Sequence, residues 1–190
     1  MRTVACFGDS LIYGFPFGPR YSWLAQAEAL TGHKFLNYGV CGDCCDDILE
    51  RLRRMYLPTQ TTHILFWGGA NDIIQMRPLK FILEDLQKTL VYCQSSKLEL
   101  GLVLPLLTAE SGLNEYLLPL REAVSSNFAG KASLFDLQPA IGLGKKQLQA
   151  AYLDGVHPTA ATYAVLGTYA VLGTYAAPLL DTWLSNYNCK

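Results

Sequence analysis

The sequence predicts a doubly wound α/β domain, a five-stranded parallel sheet with helices on both faces. Three observations point there. Short β-branched or aromatic runs alternate with stretches of helical period along the chain. Three of those runs are nearly continuous in apolar residues, as strands buried on both faces are. No Pro- or Ser-rich linker interrupts the 190 residues, a length that suits one domain, so residues 1–190 are read as a single unit.

Taken in order, the first strand is expected at 3–8, Thr3 to Gly8, and the first amphipathic stretch at 20–32. A second strand at 34–39 precedes a helical stretch at 44–56, rich in charge. The third strand, 62–68, and the fourth, 98–105, flank a long helical stretch at 79–95. A further stretch at 113–128 leads to a fifth strand at 132–137. The last helix follows Pro158, a residue favoured at the first helical position. Right-handed crossovers between parallel strands then place the helices on the two faces. Within the last helix Thr162–Gly167 recurs as Thr168–Gly173, and a third copy begins at Thr174-Tyr175-Ala176. Six residues turn a helix by about 600°, so the three tyrosines cannot share one face.

Composition narrows the function. Lys and Arg total 15 and Asp and Glu 16, spread over both halves, so nucleic acid is not an expected partner. Residues 158–180 carry no charge but mix Thr, Tyr, Gly and Pro with few Val and Leu, which argues for a packed helix and against an integral membrane span. Met1-Arg2 leads straight into strand-like Thr3–Phe7 with no signal-type segment, so the reading is a cytoplasmic protein whose six cysteines are free thiols.

Ligands of open α/β sheets bind at the carboxyl ends of the strands. Residues with chemical capacity fall there repeatedly. The first strand ends in Gly8-Asp9-Ser10-Leu11, with Gly14 beyond; the second in Asn37-Tyr38-Gly39-Val40-Cys41-Gly42-Asp43. The third ends in Gly68-Gly69-Ala70-Asn71-Asp72, and Asp154-Gly155-Val156-His157 stands near the C-terminus. Acyl transfer uses a hydroxyl nucleophile beside a base, a third group that fixes the base's tautomer, and donors aimed at the oxyanion. Ser10 supplies the hydroxyl, His157 the base and Asp154 the orienting acid. The Ser10 and Gly42 backbone N–H groups and the Asn71 amide supply an oxyanion hole. Each residue alone has a plainer explanation: Asp9-Ser10 and Asn71-Asp72 read as helix caps or turns, and the glycines as turn glycines. The conjunction in this order carries the catalytic reading.

At these residues the sequence resembles the GDSL esterase/lipase family, the SGNH hydrolases. Gly8–Leu11 with Gly14 is similar to the family's first block, Gly42 to the second-block glycine, Gly69–Asp72 to the third block, and Asp154–His157 to the last. The size is that of small single-domain bacterial members. The resemblance implies a flavodoxin-like three-layer α/β/α sandwich and ester or thioester hydrolysis without metal or other cofactor. Ser10, Gly42, Asn71 and His157 would be the signature residues and Asp154 the orienting acid. Cys41, Cys44 and Cys45 crowd the second block and depart from the pattern.

The expected substrate is a small ester of short-to-medium acyl chain, with thioesters and lysophospholipids in range. Tyr13, Phe15, Ile73, Leu106 and Tyr152 are the expected pocket residues, giving an apolar, aromatic mouth. Acetylated carbohydrate is the alternative within the superfamily. The rivals from other classes are a metal-dependent hydrolase, built on the three cysteines with Asp43, Asp46 and Asp47 but lacking a second Cys/His cluster, and a flavodoxin-like binding module without chemistry. His33 and His63 fall near strand starts and read as structural. Asp46, Asp47 and Glu50 with Arg51, Arg53 and Arg54 read as ion pairs on a solvated helix face.

Overall fold

In the computed structural model, which describes residues 1–172 and 179–185, the chain alternates strand and helix as expected. The elements are β1 (Thr3–Gly8), α1 (Ser10–Tyr13), α2 (Trp23–Thr31), β2 (Lys34–Gly39), α3 (Cys45–Arg54), β3 (Thr61–Trp67), α4 (Ala70–Ile74) and α5 (Leu79–Ser95). They continue as β4 (Glu99–Val103), α6 (Ser111–Phe128), β5 (Ser133–Phe135), α7 (Lys145–Ala151), α8 (Ala160–Leu172) and α9 (Leu179–Ser185). The five strands are all parallel, in the order β2-β1-β3-β4-β5. That is the flavodoxin-like order, with the topological switch between β1 and β3. Gly173, the third repeat copy and Cys189 lie outside the described residues.

The apolar runs of β1 and β3 split by parity between two layers, because successive side chains point to opposite faces. Val4 and Cys6 of β1, and Leu65 and Trp67 of β3, join α2, α8 and α9 in one core. Ala5, Phe7, Ile64 and Phe66 join α3, α5 and α6 in the other. The three-layer sandwich therefore follows from the continuous apolarity of the strands. Among the described residues no helix is long and apolar enough to cross a membrane.

The register levels the strand ends that matter. Gly39, Gly8 and Trp67 lie in one row across β2, β1 and β3, so the three following loops start side by side. Gly39 lets the chain pass close there: a Cβ on it would sit 2.2 Å from the Tyr13 nitrogen of α1.

On the opposite face α8 lies against α2 through the first repeat copy. Tyr163 and Leu166 are fully buried, while Tyr169 is half-buried, in keeping with the phase shift between copies. Gly167 is the close-contact residue: its Cβ would lie 2.4 Å from the Trp23 carbonyl and 2.6 Å from Gln26 Cβ. Gly167→Ala should force the two helices apart and cost about 1–3 kcal/mol, the range for overpacking. The measurement is urea denaturation, where a lower midpoint at unchanged slope is expected.

Candidate active site

Ser10 opens α1 directly after β1. Asp9 caps that short helix, its Oδ1 accepting the Leu11 N–H at 2.9 Å. The turn is tight: Gly14 N and Phe15 N both donate to the Ser10 carbonyl, at 2.9 and 3.0 Å. From α8 the Tyr163 hydroxyl donates to the Phe15 carbonyl at 3.0 Å. The Phe15 ring in turn packs on the His157 imidazole, centroids 4.7 Å apart.

His157 belongs to a loop closed on itself. Tyr152 and Pro158 form an isolated bridge, and Leu153 N donates to the His157 carbonyl at 2.8 Å. Gly155, with φ +90°, takes the left-handed turn between. Inside it, Asp154 Oδ1 accepts the His157 and Val156 N–H groups at 2.7 and 3.0 Å. Its Oδ2 lies 2.7 Å from His157 Nδ1. Partial burial alone would raise the Asp154 carboxyl, but these hydrogen bonds outweigh it and hold it at about 2. Asp154 is thus a fixed anion at any working pH, and His157 Nε2 lies 3.1 Å from Ser10 Oγ. Ser10, His157 and Asp154 form one continuous hydrogen-bonded run from two segments far apart in the chain.

The second and third loops meet beside Ser10. Gly42 takes φ +90°, which favours glycine, and no atom lies within 4 Å of where its Cβ would be. Next to it the Asp43 carbonyl accepts one N–H of the Asn71 amide at 3.0 Å. The other faces Asp9 Oδ2 at 3.4 Å. The structure therefore brings Gly42, Asn71 and the Ser10 turn to one edge of the sheet.

Two arginines hold these loops. Arg51 does not pair along its helix as the i,i+4 spacing suggests. It turns inward to Asp43 Oδ2 at 2.6 Å, to the Tyr38 carbonyl at 2.9 Å and to the Gly8 carbonyl at 3.0 Å. The reason is that the ends of β1 and β2 present carbonyl lone pairs side by side, and a guanidinium satisfies several at once. Glu50–Arg54 is the pair that stays on the solvated face. Arg77 binds Asp72 Oδ1 at 2.7 Å, Asp85 Oδ2 at 2.6 Å and Asp46 Oδ2 at 3.2 Å. Burial alone would lower the Arg77 guanidinium, but Asp72 and Asp85 overcome this and keep it charged. The other Asp72 oxygen accepts the Cys45 N–H at 2.9 Å, so Asp72 ties α4 to the start of α3. Neither arginine had a signal in the local sequence, because their partners are distant in the chain.

The cysteine-rich segment is occupied with the same network. Cys44, Asp46 and Asp72 come within metal-ligand distance of one another, but both carboxylates already hold Arg77. Cys6, Cys41, Cys44, Cys45 and Cys93 are free thiols. Burial and the nearby Asp9 and Asp43 charges push the exposed Cys41 thiol up, and burial with Asp72 pushes Cys44 to about 12. Neither is a ready thiolate at neutral pH. His63 is wholly buried against Trp183, ring centroids 4.6 Å apart, and burial lowers it to about 4. It stands near the start of β3, at the sheet edge opposite the catalytic loops.

Of the expected pocket residues, Phe15 is exposed at the mouth, and Tyr13 and Ile73 are half-buried. Leu106 and Tyr152 lie in the core, 3% and 6% exposed. Tyr152 donates its hydroxyl to the Leu107 carbonyl at 2.7 Å and stiffens the wall behind the Asp154 loop. Apolarity at these positions reports core packing. Ile73 instead lines a cavity of about 500 Å³ with Met76, Pro78, Leu79, Tyr116 and Pro119, with Arg77 also in its wall.

The sequence profile of the GDSL-like lipase/acylhydrolase family matches residues 6–165. Among solved structures, a protein assigned to the G-D-S-L lipolytic family from Desulfitobacterium hafniense DCB-2 superposes with a TM-score of 0.80 at 21% identity, covering 90% of this chain and 98% of that one. A member of the same family from Veillonella parvula DSM 2008 gives 0.78 at 21%, covering 93% and 100%. The acetylxylan esterase Axe2 from Geobacillus stearothermophilus gives 0.69 at 16%, covering 90% and 93%. No curated protein sequence matches the chain.

Breaking the Arg77 network should expose its worth. Arg77→Met leaves Asp72 and Asp85, both nearly inaccessible, without their cation. Loss of one partner of a buried pair costs about 3–5 kcal/mol. Calorimetry should show a markedly lower melting temperature, with Lys88, which also reaches Asp85 at 3.0 Å, softening the loss at that carboxylate.

Proposed function

The chain belongs to the GDSL-like lipase/acylhydrolase family and is an ester-cleaving hydrolase; on that premise we propose that it cleaves carboxylic esters of short-to-medium acyl chain through an acyl-enzyme on Ser10. The observation that carries this reading is the unbroken run from Asp154 through His157 to Ser10 Oγ, with contacts of 2.7 and 3.1 Å.

In this reading Asp154 fixes the His157 tautomer with the proton on Nδ1, leaving Nε2 to accept the Ser10 proton. Ser10 Oγ attacks the acyl carbonyl, and negative charge gathers on the carbonyl oxygen. The Ser10 and Gly42 N–H groups and the Asn71 amide are the donors that hold it. His157 returns its proton to the leaving alkoxide or thiolate as the C–O or C–S bond breaks. Water, deprotonated by the same nitrogen, then releases the acid and restores Ser10. Every proton in the cycle passes through Nε2.

The acyl group is the element the surroundings favour. The Phe15 ring packs on His157 and puts an apolar surface beside the base. A neutral aliphatic acyl chain suits such a surface, and thioesters or lysophospholipids would present the same group.

The direct test is hydrolysis of p-nitrophenyl esters from acetate to palmitate, with chelator present. Activity is expected to peak at intermediate chain length, to ignore the chelator and to vanish in Ser10→Ala. A peak at acetate would instead favour acetylated carbohydrate as substrate, and an active Ser10→Ala protein would end the proposal. Asn71→Ala should fold yet lose about 10²–10³ in kcat, the range for one oxyanion donor. An unchanged rate in that variant would remove Asn71 from the role.

A further inference from the structure

Asp9 is a buried carboxylic acid that the mechanism above leaves unused. It is 1% exposed. Its Oδ1 caps α1 through the Leu11 N–H at 2.9 Å, but its Oδ2 serves no cap: it faces the Asn71 amide nitrogen at 3.4 Å. A serine or asparagine caps a helix as well as an aspartate does. Neither would place a second acceptor against Asn71.

The side-chain amide of Asn71 can be turned two ways, nitrogen or oxygen toward the Ser10 turn. The Asp43 carbonyl, 3.0 Å away, accepts only. The Asp9 carboxyl accepts from the other amide hydrogen. Together they make the nitrogen-inward orientation the one that satisfies both contacts. The shorter bond to Asp43 anchors the amide, and the longer contact to Asp9 is the one a developing oxyanion can share.

We propose that Asp9 is a positioning residue for ester hydrolysis: its Oδ2 holds the Asn71 amide nitrogen toward the Ser10 turn by the longer contact, which a developing oxyanion then shares, while its Oδ1 caps the nucleophile's helix. The inference rests on the reading of Ser10 as nucleophile and Asn71 as oxyanion donor. The surroundings show that this placement is costly. Asp72 from α4, Asp43 from the β2–α3 loop, the Cys41 and Cys45 thiols and the Tyr163 hydroxyl of α8 all face the same space. Arg51, bound to the Gly8 carbonyl, is the nearby cation. Desolvation, helped by the charges of Asp72 and Asp43 and opposed by the Leu11 N–H, pushes Asp9 up to about 7. The native protein therefore keeps this proton where the unfolded chain, titrating near 4, has lost it. The stability this group contributes is fully present below about pH 4 and is lost as pH rises to about 7. Asp9→Asn removes that dependence.

Asp9→Asn is also the decisive substitution for function. The introduced amide can still cap Leu11 with its oxygen, but its NH₂ then opposes the Asn71 NH₂, and one contact must break. On p-nitrophenyl acetate, kcat is expected to fall about tenfold to a hundredfold with KM little changed, less than the 10²–10³ for losing the donor outright. The melting temperature at pH 8 should be equal to or above that of the native protein. A role in capping alone predicts native kcat in Asp9→Asn and in Asp9→Ser, which keeps the cap. A double-mutant cycle with Asn71→Ala completes the test: if Asp9 acts through Asn71, Asp9→Asn costs nothing further in the Asn71→Ala background. Native kcat in Asp9→Asn, or a full additional loss in the Asn71→Ala background, overturns the proposal. Labelling of Ser10 by a fluorophosphonate in the native protein separates the two readings. No labelling at Ser10 would defeat the nucleophile assignment itself, whereas labelling with a neutral Asp9→Asn defeats only the role of Asp9.

Discussion

Arg51 is the interaction on which the arrangement of the catalytic edge depends. β1 and β2 end level with each other, and their last carbonyls stand side by side; the Gly8 carbonyl takes the Val40 N–H at 3.0 Å and has a second lone pair to offer. One guanidinium bonds the Tyr38 and Gly8 carbonyls and, through its Nε, the Asp43 carboxylate. That fixes the loop carrying Gly42 relative to the strand carrying Ser10. The Asp43 carbonyl then accepts from Asn71, and Asn71 reaches Asp9, which caps the helix that Ser10 opens. The contacts close a ring through β1, β2, α3 and α4. A planar fork with five donors can do this; a lysine ammonium, a single point charge, could not reach three acceptors so disposed.

The electrostatics of the site divide along the same line. Asp154 and Asp9 are both aspartates near Ser10, and their environments push them apart, to about 2 and about 7. Asp154 sits at the surface among donors that favour its charge, where it can face a protonated imidazole. Asp9 sits in the interior near two other carboxylates. Pairs of titratable groups driven in opposite directions are a mark of sites that handle protons. Here the division leaves one carboxylate against His157 Nδ1 and the other against the Asn71 amide. Arg77 performs a related service, pairing with Asp72, one of the two carboxylates whose charge raises Asp9.

Much of this was legible from the sequence, and the failures have physical reasons. The expected strands 3–8 and 34–39 coincide with β1 and β2, because clear turn residues bound them. The expected 98–105 overruns β4, since the apolar run continues through Leu104, Leu106 and Leu107 in a loop buried by the core. The same buried run carries Leu106 into the core: a window of apolar residues does not say whether its neighbours are protein or ligand. Helices α1 and α4, of four and five residues, are too short to show a helical period. The stretch 20–32 divides, with a 3-10 turn at Pro19–Tyr21 before α2 begins at Trp23. At the site, the small and polar residues after each strand stood out because such positions seldom combine glycines with one titratable group. Arg51, Arg77 and the second function of Asp9 left no local trace. Their meaning lies in partners on neighbouring elements, such as Tyr38 and Gly8 for Arg51 and Asn71 for Asp9, which only the fold brings within reach.

The repeated segment of α8 shows how a sequence repeat can be accommodated without symmetry. Successive copies are out of phase by about 120° around the helix, so the same residue types meet different surroundings. In the first copy Tyr163 points to the interior, and its hydroxyl reaches the Phe15 carbonyl. Phe15 packs on His157, so α8 is joined to that imidazole through one hydrogen bond and one aromatic contact. Tyr169, in the second copy, is half-buried at the margin of the same core. Gly167 permits the close approach to α2, and the face that carries it is the face that carries Tyr163, four residues earlier. The first copy therefore serves both packing and the surroundings of His157, and the second adds Ala170 and Val171 to the same core. A helix can absorb an insertion of six residues downstream of such a point, because the residues before it keep their phase against the sheet whatever follows.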